Sequence, residues 1–159
     1  MTKPSTDAPG VVVRPPLLYL ATLLLAVTLH WFRPMPIFGN SFAIGIGLTM
    51  TFLGVAIAVW GARTMLAART NIDPTLPSTA IVTSGPFRLS RNPLYLALSL
   101  LYLGLSMAFD TWWGLIGLIP VLLVMHLGVV LREEHYLEGK FGDEYRKYKA
   151  KVARYLPLV

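Results

Sequence analysis

Chemistry in this chain can be built from two short polar runs. The first is Gly85-Pro86-Phe87-Arg88-Leu89-Ser90-Arg91-Asn92-Pro93-Leu94-Tyr95, at the mouth of an apolar stretch; the second is Arg132-Glu133-Glu134, just after another. A helix starting at Pro93 offers backbone N–H groups beside the Asn92 amide and Arg91, a donor set that suits a carboxylate or hydroxyl. Tyr95 follows Asn92 by three residues and returns to much the same helix face, so its ring adds a surface for a ligand with both a cation and a flat ring. The same residues also have a plain structural use. Proline is favoured in a first helical turn and arginine anchors interfaces, while Glu133 and Glu134 can be carboxylates solvated outside a membrane and paired with Arg132 or Lys140.

His126 is the one ionisable residue well inside an apolar stretch, and such residues default to functional suspicion. It precedes Glu133 by seven residues, a spacing that places both on one helix face. A lone histidine there also serves as a hydrogen-bonded packing residue. If an acceptor must lose a proton, His126, Glu134 and Asp73 are the candidate bases, in that order. The chain has no cysteine, which removes disulfides, zinc thiolate sites and cysteine nucleophiles, and no metal site is expected.

These residues need elements to hold them. With 55% hydrophobic and 14% charged residues and a mean hydropathy of +0.59, the composition is that of an integral membrane protein. The 159 residues form one domain with no room for a separate soluble catalytic unit. Crossing a hydrocarbon core of roughly 30 Å takes about 20 helical residues, and four segments qualify: residues 15–32, 42–62, 93–109 and 112–131. Residues 1–10 are polar and proline-bearing, so the first span is expected to stay in the mature protein. The expected fold is all-α and polytopic, with about four transmembrane helices, a folded cytoplasmic loop and a C-terminal amphipathic helix.

Of the 14 lysines and arginines, Arg33 alone falls between spans one and two or between three and four; the others, from Lys3 and Arg14 onward, lie on the opposite side. Positive charge marks the cytoplasmic face, which puts both termini and residues 63–92 there. The net charge of +6 suits an anionic leaflet better than nucleic acid, because the charges flank spans. Asp110-Thr111 is a tight hairpin with Trp112 and Trp113 at the far interface. In the long connection, Ala80-Ile81-Val82 and Phe87 interrupt turn-forming residues, the pattern of a folded segment packed on the bundle. After span four, Leu137, Phe141, Tyr145, Tyr148, Val152 and Tyr155 recur at spacings of four or three, an apolar stripe on a basic helix that Gly139 and Gly142 can kink.

Read in order, Thr79-Ala80-Ile81-Val82-Thr83-Ser84-Gly85-Pro86-Phe87, Arg91-Asn92-Pro93-Leu94-Tyr95, Arg132-Glu133-Glu134, Phe141-Gly142-Asp143-Glu144-Tyr145, Tyr148 and Val152-Ala153-Arg154-Tyr155-Leu156-Pro157 resemble the C-terminal signature of the isoprenylcysteine carboxyl methyltransferase and phospholipid methyltransferase superfamily. The resemblance covers residues 79–95 and 132–157, the second half of the chain. It implies an S-adenosylmethionine-dependent methyltransferase whose cofactor lies at the cytoplasmic interface, against Thr79, Ala80, Ile81, Val82, Gly85, Phe87, Arg91, Asn92, Pro93, Leu94, Tyr95 and Glu133. The chemistry agrees: an ammonium for Glu133, a carboxylate for donors near Asn92 and a ring for apolar neighbours.

Two departures bear on the acceptor. Asn92 stands where the isoprenylcysteine enzymes have histidine, and the arginine that faces their substrate carboxylate falls near Val129 here. The expected acceptor is therefore a lipophilic molecule other than prenylcysteine, with phospholipid amines, other lipids and small thiols, phenols or acids open, and carboxyl methylation of an isoprenylcysteine-like substrate as the alternative. In-line methyl transfer depends on alignment and on excluding water, so no nucleophilic residue is required. The competing class is a non-enzymatic four-span protein, a small transporter or assembly factor, for which His126 would be the one deep ionisable group.

Overall fold

The computed structural model describes residues 7–39 and 41–156; Lys3 of the basic N-terminal flank and Pro157 of the last motif lie outside them. Every regular element among the described residues is helical: α1 (Pro15–Phe32), α2 (Ser41–Ala67), a single 3₁₀ turn (Gly85–Arg88), α3 (Pro93–Ala108), α4 (Trp112–Met125), a π-helical stretch (His126–Val130), α5 (Leu131–Phe141) and α6 (Asp143–Lys151). The all-α polytopic fold expected from the sequence is the one observed. Prolines at the starts of α1 and α3 supply pre-set φ where no N–H is needed. Outward-facing positions such as Leu20, Leu24, Phe52, Ile119 and Leu123 are exposed and apolar, as lipid contact requires.

Three helices are long and apolar enough to cross a membrane: α1, α2 and the continuous rod Trp112–Phe141 formed by α4, the π stretch and α5. The apolar part of that rod ends at Leu131, where Arg132-Glu133-Glu134 begins. α3, with 16 residues, is shorter. It nevertheless runs antiparallel to α2 over much of the same depth, Gly47 packing on Ala108 and Gly61 on Leu94. Gly47, Gly54 and Gly61 recur at seven residues on the α2 face that meets α3. A Cβ at Gly54 would lie 2.9 Å from the Leu101 backbone nitrogen, so the two backbones touch where side chains would stand.

The core sits among α1, α3 and the rod, built from Tyr19, Leu23, Tyr102, Leu118, Val121, Met125 and Val129. α2 packs on α3 outside this core and leaves a cleft towards α1. At one end of the bundle the 33–39 and 109–111 connections are tied together: the Asp110 carboxylate accepts the N–H groups of Ile37, Phe38 and Gly39 at 2.9, 2.9 and 2.8 Å. Residues 68–92 gather at the opposite end. They are folded, as expected: Asn71 donates to the Pro77 carbonyl, and Thr79 to that of Arg69. The C-terminal helix breaks at Gly142 and not at Gly139, because the corner needs φ +54° with ψ −123°, a conformation only glycine adopts without strain.

Candidate functional site

At the loop end, the start of α3, the start of α5, the loop and α6 line a narrow cavity of about 80 Å³, well below the roughly 300–1,000 Å³ usual for small-molecule sites. The two polar runs meet here. Glu133 projects from α5, and its carboxylate accepts the Tyr95 hydroxyl at 2.7 Å. Loss of solvent in the cavity pushes the Glu133 carboxyl up to about 7; the hydrogen bond from Tyr95 opposes this, and the neighbouring Glu134 charge adds to it. Arg91 is also on the wall, its side chain only 8% exposed. Its buried Nε has no partner among the described residues. Leaving such a donor unpaired costs about 1–3 kcal/mol, which a bound acceptor would offset.

Glu134, one residue on, has a different environment. Arg154 donates to both of its oxygens at 2.8 and 2.9 Å, and Arg91 Nη1 lies 2.9 Å from Oε1. The segment after α6 is thereby strapped to the start of α3. The Arg91 N–H donates to the Ala153 carbonyl, and the Asn92 amide donates to that of Arg154, each at 2.9 Å. Tyr148 closes the same side by donating to the Phe87 carbonyl at 2.7 Å.

Most residues singled out from the sequence meet at this cavity: Ala80, Ile81, Val82 and Phe87 on the loop wall, and Arg91, Asn92, Pro93, Leu94, Tyr95, Glu133 and Glu134 around the polar end. Others stand elsewhere. Thr79 is behind the wall, held by Thr70 and Arg69, and Gly85 turns at φ +57° against Thr64 and Trp60. His126 Nδ1 is 2.8 Å from the Tyr155 hydroxyl and does not reach the cavity. The π stretch explains why. One extra residue per turn rotates α5 relative to α4, so His126 and Glu133 lose the common face that a regular helix would give them. Val129 is fully buried in the apolar core, which among the described residues is built without a cation. The wall also includes Met65, Thr70, Leu137, Tyr145 and Tyr148, which were not singled out as site residues. For the last three the signal was the stripe at spacings of three and four, of which Leu137, Tyr145 and Tyr148 line the cavity.

A second cavity, of about 570 Å³ and almost wholly apolar, occupies the cleft between α1 and α2 with α3 as its floor. It shares Ile72, Leu94 and Tyr95 with the first. Asp73 stands at its polar end, accepting the Thr75 N–H and hydroxyl at 2.9 and 2.7 Å.

A family model described as phospholipid methyltransferase matches residues 42–144, more than half of the chain. The chain belongs to this family. It is thus a membrane methyltransferase by class, and the matched region carries the loop wall, the start of α3 and Glu133. An uncharacterized protein of Haemophilus influenzae is similar too, 44% identical over 63 residues that cover 40% of this chain and 100% of that protein. No solved structure matches the chain. Within the phospholipid methyltransferase match, α1 and Arg154 fall outside the boundaries, although α1 lines the second cavity and Arg154 closes the first.

Proposed function

We propose that the chain transfers a methyl group from S-adenosylmethionine to a lipophilic acceptor drawn from the bilayer, a phospholipid amine being the leading candidate. The observation that carries this reading is the pair of adjoining cavities, one with a polar end, the other apolar and lipid-facing, sharing Ile72, Leu94 and Tyr95. The residues fit the cofactor. Glu133 would receive its ammonium; the unpaired Arg91 Nε and the first N–H groups of α3 would receive its carboxylate; Ala80, Val82, Phe87 and Leu137 would pack its adenine. When bound, S-adenosylmethionine supplies an electrophilic methyl on a sulfonium. The chain's own residues align the partners and exclude water, which accounts for most of what this displacement needs.

In this reading Glu134 is an anchor, since two arginines pair with it, and His126 acts at a distance by fixing Tyr155. Thr79 and Gly85 shape the loop. Both termini and the cavity face the cytoplasm, in line with the basic flanks. The test is incubation with radiolabelled S-adenosylmethionine and either a membrane lipid extract or prenylcysteine analogues. Label should enter lipid. Base-labile methyl ester on the prenylcysteine analogue alone would overturn the choice of acceptor, and label in neither set would count against the enzyme reading.

A further inference from the structure

The apolar cleft ends in a loose ion pair. Arg14 Nε and Asp73 Oδ2 are 3.9 Å apart, with side chains 62% and 37% exposed, whereas Arg91 and Arg154 approach Glu134 at 2.9 and 2.8 Å. An exposed pair this slack contributes little to stability. Its position is more informative than its strength. Arg14 immediately precedes α1, Asp73 sits in the loop over the cleft, and between them the cavity runs down past Leu17, Ala58 and Leu98 towards the bilayer. Thr75 occupies Asp73 Oδ1 through both its N–H and its hydroxyl, leaving Oδ2 towards Arg14. Those two hydrogen bonds, the hydroxyl's first, hold the Asp73 carboxyl below the usual carboxylate range. It is thus a standing anion at neutral pH and poorly suited to take up a proton.

We propose that Arg14 and Asp73 form the headgroup site for a zwitterionic aminophospholipid, Arg14 receiving the phosphate and Asp73 the amine, with the acyl chains in the cleft between α1 and α2. The inference rests on the methyltransferase reading above and names the site where its acceptor is held. Two opposite charges held slackly at the end of an apolar trough complement a headgroup with an anion and a cation a few bonds apart. The amine is then on the Tyr95 and Leu94 side, next to the polar cavity. There the ammonium gives one proton to water at the exposed rim. The nitrogen lone pair forms the N–C bond as the C–S bond breaks, leaving a thioether and a methylated ammonium whose charge Asp73 balances.

The experiment uses the full chain in vesicles with a phosphatidylethanolamine bearing a diazirine in one acyl chain, mapping photocrosslinks by mass spectrometry and titrating S-adenosylmethionine in parallel. Crosslinks should fall on α1, α2 and α3 around Leu17, Ala58 and Leu98. Unlabelled phosphatidylethanolamine should compete about tenfold better than phosphatidylglycerol, which lacks the amine. Asp73→Asn should remove that preference, Arg14→Gln should weaken both competitors, and neither should alter cofactor affinity. Crosslinks spread over all lipid-facing helices, or competition indifferent to headgroup and to both variants, would overturn the headgroup site even if S-adenosylmethionine binds. Headgroup-selective labelling without cofactor binding would keep this site and remove the methyltransferase reading.

Discussion

Glu133 and Glu134 are adjacent and chemically identical, yet the fold gives them opposite characters. Glu134 is locked between Arg91 and Arg154, while Glu133 shares a cavity with a tyrosine hydroxyl and has its carboxyl raised to about 7. An ammonium ligand needs Glu133 ionised. Because its pKa is raised, the ionised fraction grows as pH rises through that value, so cofactor affinity should increase from about pH 6 to about pH 8 with its midpoint near 7. Glu133→Gln should lower affinity and flatten the profile; an unchanged profile in that variant would assign the titration to another group. Removing Glu134 should act on stability instead. Glu134→Ala strands Arg91 in a buried site and should cost roughly 3–5 kcal/mol in the unfolding of detergent-purified protein, less whatever the third-exposed Arg154 recovers from water. A melting temperature equal to wild type would mean that the strap carries little load. Both carboxylates were visible in the sequence as a pair near a span end. Which one is free depends on Arg154, 20 residues away and brought back only by the turn at Gly142.

At the scale of elements, three membrane-length helices were legible because bilayer thickness imposes length on apolar runs, α1 coinciding with residues 15–32; where a fourth span was expected at residues 93–109 stands the shorter, 16-residue α3. α2 runs five residues beyond its expected end, to Ala67, because Arg63 can sit at the interface without breaking the helix. The π stretch was not legible, since nothing in His126-Leu127-Gly128-Val129-Val130 departs from an ordinary apolar run. A contact distant in sequence accompanies it: the Gly128 carbonyl accepts the Val12 N–H at 3.1 Å. The glycine seam of α2 offers a direct check on packing. Gly54→Ala places a Cβ 2.9 Å from the Leu101 nitrogen and should destabilise by about 1–3 kcal/mol, whereas Gly45→Ala meets nothing within 4 Å and should be neutral or slightly stabilising. Equal thermal shifts for the two variants would show that α2 and α3 do not meet along this seam.

At the scale of the whole molecule, basic residues and the polar cavity share one end of the bundle, and the Asp110 knot holds the other. Cysteines introduced at Thr75 and Lys149 should be labelled from the cytoplasmic face alone; labelling from the outer face would invert the protein and place the cavity away from cytoplasmic cofactor. Whether this cavity holds S-adenosylmethionine is read by a calorimetric titration of detergent-purified chain with the cofactor and with its demethylated product. Saturable one-site binding is expected, weakened by about tenfold or more in each of Glu133→Ala and Asn92→Ala. A folded, intact protein that takes up neither ligand at about 1 mM, a Kd weaker than about −4 kcal/mol of binding free energy, would contradict it.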